Sequence, residues 1–149
     1  GNRLFRIGNE DNWGEAIDIK RQAYDVRIID NTIEDVWVHS GGAITVLFNA
    51  VDYPEDATNP AIQVIGNKIH GVRKCVGGWD GSGICVGGNG VLVENNRVSG
   101  TEGPALLVLK NAGNTSQSLR VYNNDFESEL SINVGGHQRP VTVELKGNQ

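Results

Sequence analysis

Residues 91–98 read Val91-Leu92-Val93-Glu94-Asn95-Asn96-Arg97-Val98. Apolar residues at 91 and 93 alternate with polar ones, the period of a strand with one face buried. A polar pair follows, and the next apolar residue, Val98, comes two positions after Asn96. The same order recurs along the chain: Val26, Ile28, Asp30, Asn31, Ile33; then Ile62, Val64, Gly66, Asn67, Ile69; then Leu119, Val121, Asn123, Asn124, Phe126. A partial copy, Val143, Leu145, Gly147, Asn148, closes the chain. A weaker one, Leu4, Arg6, Gly8, Asn9, opens it, with Arg6 breaking the apolar pattern. The intervals between asparagines run from 22 residues (Asn9 to Asn31) to 36 (Asn31 to Asn67), as expected of a fixed minimal rung with loops of varying length.

The residues before the asparagines are Gly8, Asp30, Gly66, Asn95, Asn123 and Gly147. Gly, Asn and Asp tolerate a left-handed backbone best, so these positions predict a shared corner with positive φ. A second motif precedes the copies: Ala16-Ile17-Asp18-Ile19, Ala43-Ile44-Thr45-Val46, Gly83-Ile84-Cys85-Val86, Ala105-Leu106-Leu107-Val108 and Ser131-Ile132-Asn133-Val134. Each is short, period-two and rich in branched residues, and so reads as a strand. No segment of ten residues carries a helical apolar stripe. The expected fold is all-β: about five to six stacked coils, each with two or three short strands. Stacking places equivalent residues about 4.8 Å apart. A column of asparagines can then bond rung to rung through its amides. Ile33, Ile69, Val98 and Phe126 would fill the interior in the same way.

This pattern is similar to the repeats of pectate-lyase-like right-handed parallel β-helices, and the corner asparagines resemble the asparagine ladder of that superfamily. The resemblance covers roughly residues 14 to 148. It implies a right-handed single-stranded parallel β-helix, a single domain over residues 1–149. The superfamily holds lyases, hydrolases, epimerases, tailspikes and inert adhesins, so the resemblance is specific for fold and open for function. It further implies that the Ala-Ile-x-Val strands form the sheet bearing a substrate groove. Alternation would point Ile17, Ile44, Ile84 and Leu106 inward and Asp18, Lys20, Thr45, Leu47, Cys85, Leu107 and Leu109 outward.

Composition bounds the rest. The net charge is −5 with no basic patch, which argues against nucleic acid. No apolar run approaches the ~20 residues of a membrane helix. Methionine is absent, and neither end reads as a polar cap. The expectation is therefore a piece of a longer β-helix, or a chain that pairs end to end with a second copy. Cys75 and Cys85 form no CxxC pair, and a disulfide or two free thiols are equally open. Gly87-Gly88-Asn89-Gly90 joins strand to strand and reads as a turn.

Three long loops carry chemically useful residues, and insertions in a repeat protein often build its binding face. For a lyase acting on an acidic polysaccharide, Lys20, Arg21, His70, Arg73 and Lys74 supply the basic types needed to neutralise a carboxylate and abstract a proton. Asp18, Trp37, His39, Tyr53, Trp79 and Asp80 are candidates for substrate contact. Asp52, Glu55 and Asp56 could hold calcium, the one cofactor in view. For a hydrolase, paired carboxylates are required, and Asp18, Asp80 and Glu102 are candidates by location. The alternative for all of these is solvated loop charge and packing aromatics. The expected function is a secreted or cell-surface, polysaccharide-lyase-like domain that binds or cleaves a polysaccharide, preferably an acidic one; the alternative is a structural or adhesive solenoid without chemistry, such as a tailspike or adhesin segment.

Overall fold

The structure is a computed structural model that describes residues 1–12, 14–20, 23, 25–47, 62–87, 89–109, 117–133 and 141–149. Among them every regular element is a strand. Sheet A contains β1 (Arg3–Ile7), β4 (Thr32–Val38), β7 (Lys68–Lys74), β10 (Arg97–Thr101) and β13 (Asp125–Phe126). Sheet B contains β2 (Ile17–Ile19), β5 (Gly42–Leu47), β8 (Ser82–Gly87), β11 (Leu106–Leu109) and β14 (Leu130–Asn133). Sheet C contains β3 (Val26–Ile29), β6 (Ile62–Ile65), β9 (Val91–Glu94), β12 (Gln117–Tyr122) and β15 (Val141–Lys146). The chain visits A, B and C in turn, and each strand pairs in parallel with its counterpart one circuit away. This is a solenoid-like arrangement of three parallel sheets.

The stacked rows follow the repeat. In sheet A, Leu4, Ile33, Ile69, Val98 and Phe126 share one row. In sheet C, Val26, Ile62, Val91, Leu119 and Val143 share another. Sheet B aligns Ile17, Ile44, Ile84, Leu106 and Leu130. The middle members are almost fully buried, and Leu4, Ile17, Val26, Phe126, Leu130 and Val143 at the ends are partly so. Branched residues suit these rows because each packs on its own counterpart above and below.

The sheet C to sheet A corner holds the asparagine column. Asn31 Nδ2 donates to Asn67 Oδ1 at 2.9 Å, Asn67 to Asn96 at 3.0 Å, Asn96 to Asn124 at 2.9 Å and Asn124 to Asn148 at 2.9 Å. The backbone N–H of each donates to the same Oδ1. The spare amide proton of Asn67, Asn96 and Asn124 satisfies a carbonyl of the preceding circuit, at Ile28, Val64 and Val93. The residues before the ladder, Asp30, Gly66, Asn95, Asn123 and Gly147, all have positive φ.

The opening copy has a different register from the one the sequence suggests. Asn2, not Asn9, joins the column: its N–H and Nδ2 both reach Asn31 Oδ1, at 2.9 and 3.3 Å. Arg3 then aligns with Thr32 and Leu4 with Ile33. Gly8 does have positive φ, but it belongs to a turn in which Asn9 and Asn12 exchange backbone hydrogen bonds. Arg6 breaks the apolar alternation because sheet A carries a second left-handed column, Arg6, Asp35, Gly71 and Gly100. Pairing skips these residues, so Ile7 rather than Arg6 faces Val36 and Val72. A bulge repeated in register inserts one residue without losing the inward face.

Asn89 also differs from a simple turn residue. It is 5% exposed, and its Oδ1 accepts the Gly90 N–H, the Ser118 N–H and the Ser118 hydroxyl. It ties the end of β8 to the start of β12. Cys75 and Cys85 are both buried free thiols.

The column makes a stability prediction. Asn96→Ala leaves the Asn67 N–H and the Val64 carbonyl without their side-chain partner in a dry corner. Each orphan costs about 1–3 kcal/mol, so the variant should lose about 2–5 kcal/mol in urea denaturation. Asn12→Ala, on an exposed turn, should lose less than about 0.5 kcal/mol. Equal losses would contradict a buried ladder.

Candidate functional site

Titratable groups converge where sheet A hands the chain to sheet B. Three successive connections meet there: residues 9–12 and 14–16 in the first circuit, 39–41 in the second and 75–81 in the third. Their backbones are tied together. The Trp79 N–H donates to His39 O at 2.7 Å, the Val76 N–H to Glu10 O at 2.7 Å and the Ala16 N–H to Ala43 O at 3.0 Å.

Gly41 is the centre. Its φ is +88°, its N–H donates to Asp80 Oδ2 at 2.9 Å, and its carbonyl accepts the Ser82 hydroxyl at 2.6 Å. A side chain at Gly41 would begin 3.2 Å from Glu15 Oε1 and 2.9 Å from Thr45 Oγ1. Glycine is therefore needed twice, for the left-handed corner and for the carboxyl that lies over it. Because Glu15 and Asp80 both touch this residue, their nearest oxygens are less than about 9 Å apart.

Glu15 is hydrogen-bonded to Asp18 and reached by the Thr45 hydroxyl. Burial first, and then the bond to Asp18, push its carboxyl up from 4.5 to about 7. Two carboxyls in contact must share a proton. Lys20 Nζ lies 2.7 Å from Asp18 Oδ2 and 3.9 Å from Glu15 Oε2. The bond to Asp18 in turn raises the Lys20 pKa. Lys20 thus pairs along its own strand, two residues away, rather than across the sheet.

Thr45 and Cys85, beside Asp18 in register on the outer face of sheet B, are fully buried, and Leu107 is 5% exposed. The expected groove along Asp18, Lys20 and Thr45 therefore does not continue past β2: the face is covered from β5 onward. Burial raises the Cys85 pKa, so the thiol stays protonated. What remains open is the turn side of the site, where the indole of Trp79 is 75% exposed. The His39 ring stands beside it, with centroids 5.9 Å apart and planes at 46°.

The remaining candidates divide by sheet. Trp37, His70 and Arg73 lie on sheet A, away from Lys20. Arg73 stacks over Trp37 at 5.5 Å and pairs with Asp35 at 3.7 Å; His70 Nδ1 is 2.9 Å from Ser99 Oγ. Lys74 ends β7 with its stem against Gly81, and its N–H donates to Glu102 Oε2 at 2.8 Å. Arg21, Asp52, Tyr53, Glu55 and Asp56 lie outside the described residues. Among the described residues, no group of three or more His, Cys, Asp and Glu could hold a metal ion, and no helix is long and apolar enough to cross a membrane. Glu15 had no place among the sequence candidates. The signal was available as Glu15-x-x-Asp18-x-Lys20, but its meaning depends on Gly41, in the next circuit.

Comparison with protein-family models, with curated proteins and with solved structures finds no match to this chain.

The raised Glu15 carboxyl makes stability depend on pH. In the unfolded chain the proton leaves near pH 4.5, and in the native protein near 7. Between these values the native state binds more protons, so stability falls as pH rises, and the loss is complete above pH 7. The expected loss is about 1–3 kcal/mol between pH 4.5 and 8. Glu15→Gln should flatten that part of the urea-denaturation profile, whereas a variant with the wild-type slope would remove Glu15 as its source.

Proposed function

We propose that this chain is a right-handed β-helix of the pectate-lyase-like type that binds a polysaccharide at the turns around Gly41 and hydrolyses it there. Such a role suits a secreted or cell-surface protein. The observation that carries the reading is the placement of two carboxyl groups around one glycine, Asp80 on its N–H and Glu15 over its α-carbon, at a turn that also carries the exposed Trp79. Glu15 holds a proton near neutrality and can donate it to a glycosidic oxygen. Asp80 keeps one oxygen on the Gly41 N–H and has the other to accept a proton from water or to meet the anomeric carbon. The upper bound of about 9 Å on their separation is compatible with the spacing of paired carboxyls in glycoside hydrolysis. Burial and Asp18 hold the proton on Glu15, against the opposing charge of Lys20. Trp79 offers a flat apolar surface to a sugar ring.

A β-elimination at this site is less well supported. It needs cations to neutralise the substrate carboxylate, and the basic candidates do not converge. Lys20 is engaged by Asp18, while His70 and Arg73 are on sheet A.

Turnover of a panel of plant, algal and bacterial polysaccharides tests the reading. Reducing ends should accumulate without unsaturated product. Glu15→Gln and Asp80→Asn should each lower kcat about 100-fold or more while leaving the fold intact by circular dichroism. Unsaturated product would mean a lyase. Binding without turnover would leave the adhesive or structural reading in place.

A further inference from the structure

We infer that Ser82 is a positioning residue for Asp80. The Asp80-Gly81-Ser82 segment of the third circuit grips Gly41 by both of its backbone groups, and this grip fixes the Asp80 carboxyl with one oxygen left for substrate. The inference rests on reading the Gly41 turns as a hydrolytic site, and it names the residue that holds the second carboxyl in place.

The grip is two-sided. Asp80 Oδ2 takes the Gly41 N–H at 2.9 Å, and two residues on, Ser82 Oγ donates to the Gly41 carbonyl at 2.6 Å. The Ser82 N–H reaches the same carbonyl at 3.2 Å. Gly81, between them, turns the chain at a φ of +65°. Asp80 Oδ1 takes no hydrogen bond from the described residues. The segment is also pinned from the next circuit. The Gly103 N–H donates to Gly81 O at 3.0 Å, and a side chain at Gly103 would run into the Asp80 carbonyl. The Asp80 backbone thus has close neighbours on both sides. The freedom it keeps is in its side chain, and the Gly41 N–H is what holds that side chain.

Ser82 is the part of this arrangement that the repeat does not require. It is fully buried, and the bond to Gly41 O is the one its hydroxyl makes among the described residues. Its counterpart on β5 is Gly42, so the sheet continues one circuit away without a hydroxyl. A buried hydroxyl whose partner is the residue that also holds Asp80 acts on Asp80 through that residue. Glycine has the freest backbone of any residue. Without the hydroxyl, only the longer Ser82 N–H bond restrains the Gly41 carbonyl, and the glycine is free to tilt and carry its N–H off Asp80 Oδ2. Misplacing a reacting group by about 1 Å costs about 100-fold in rate.

The test compares wild type and Ser82→Ala as full chains, by amide hydrogen exchange and by turnover of the polysaccharide in the panel that the wild type degrades fastest. The Gly41 amide should exchange at least about tenfold faster in Ser82→Ala. The Asn96 amide, bonded to Asn124 Oδ1 in the ladder, should keep its rate. The kcat should fall about tenfold or more, with KM changed by less than about twofold. The limb of the pH profile near 7, set by Glu15, should stay where it is. Ser82→Cys, with a weak donor of similar size, should fall between the two, and it carries the comparison if Ser82→Ala does not fold. Unchanged turnover in Ser82→Ala would overturn the inference and leave the hydrolytic reading standing. So would a loss of turnover accompanied by faster exchange at Asn96 and a displaced pH limb, the mark of general destabilisation. No turnover of any polysaccharide by the wild type would overturn both.

Discussion

Everything in this molecule depends on one hydrogen-bonded unit, an asparagine whose amide oxygen takes two protons from the circuit before it. One comes from the previous asparagine's side chain and one from its backbone. The unit fixes the height of each circuit and its rotation about the axis at the same time, because a slip of one residue breaks both bonds. It also stands where the chain leaves sheet C, at a left-handed residue whose neighbours cannot pair in a regular ladder. Buried backbone groups at such a corner would otherwise remain unpaired. The apolar rows of the three sheets supply most of the burial, but they are nearly uniform runs of Ile, Val and Leu that would tolerate other registers. The amides are directional and would not.

This explains how a distant corner shapes the site. Glu15, Gly41 and Asp80 belong to three successive circuits and share no sequence proximity. They meet because the ladder sets those circuits one strand spacing apart, so that equivalent turns stack. Thr45 and Cys85 are buried on the face where alternation alone would expose them. A carboxyl held over that face loses water, and its proton becomes harder to remove. The acid-base character of Glu15 is in this sense a property of the stack rather than of its own turn.

How legible these features are in the sequence follows the same division. Periodic features are readable: the ladder from Asn31 to Asn148, the rows around Ile33 and Ile62, and the inward set Ile44, Ile84 and Leu106. Each is repeated, so chance matches are diluted. The first circuit is misleading because Gly8-Asn9 imitates the corner dipeptide, while the true member, Asn2, has no strand of repeat pattern before it. The bulge at Arg6 hides the inward role of Ile7. The site is only partly legible. Asp18, Lys20, Trp79 and Asp80 stand out by residue type, yet type does not say which sheet a loop returns to. Lys20 and Arg73 both supply a basic residue type, yet Lys20 follows β2 of sheet B and Arg73 lies on sheet A. Glu15 does not stand out as an acid in a turn, since what makes it an acid near neutrality is burial in the fold, followed by its bond to Asp18.

The ladder can be observed directly by native-state amide hydrogen exchange. The backbone amides of Asn31, Asn67, Asn96 and Asn124 each donate to an asparagine side chain rather than to a strand partner. The account predicts that they exchange as slowly as the central strand amides of Ile69 and Val98, and at a single rate set by global unfolding. Exchange of these four amides as fast as that of Asp11 or Asn12, in an exposed turn, would contradict it.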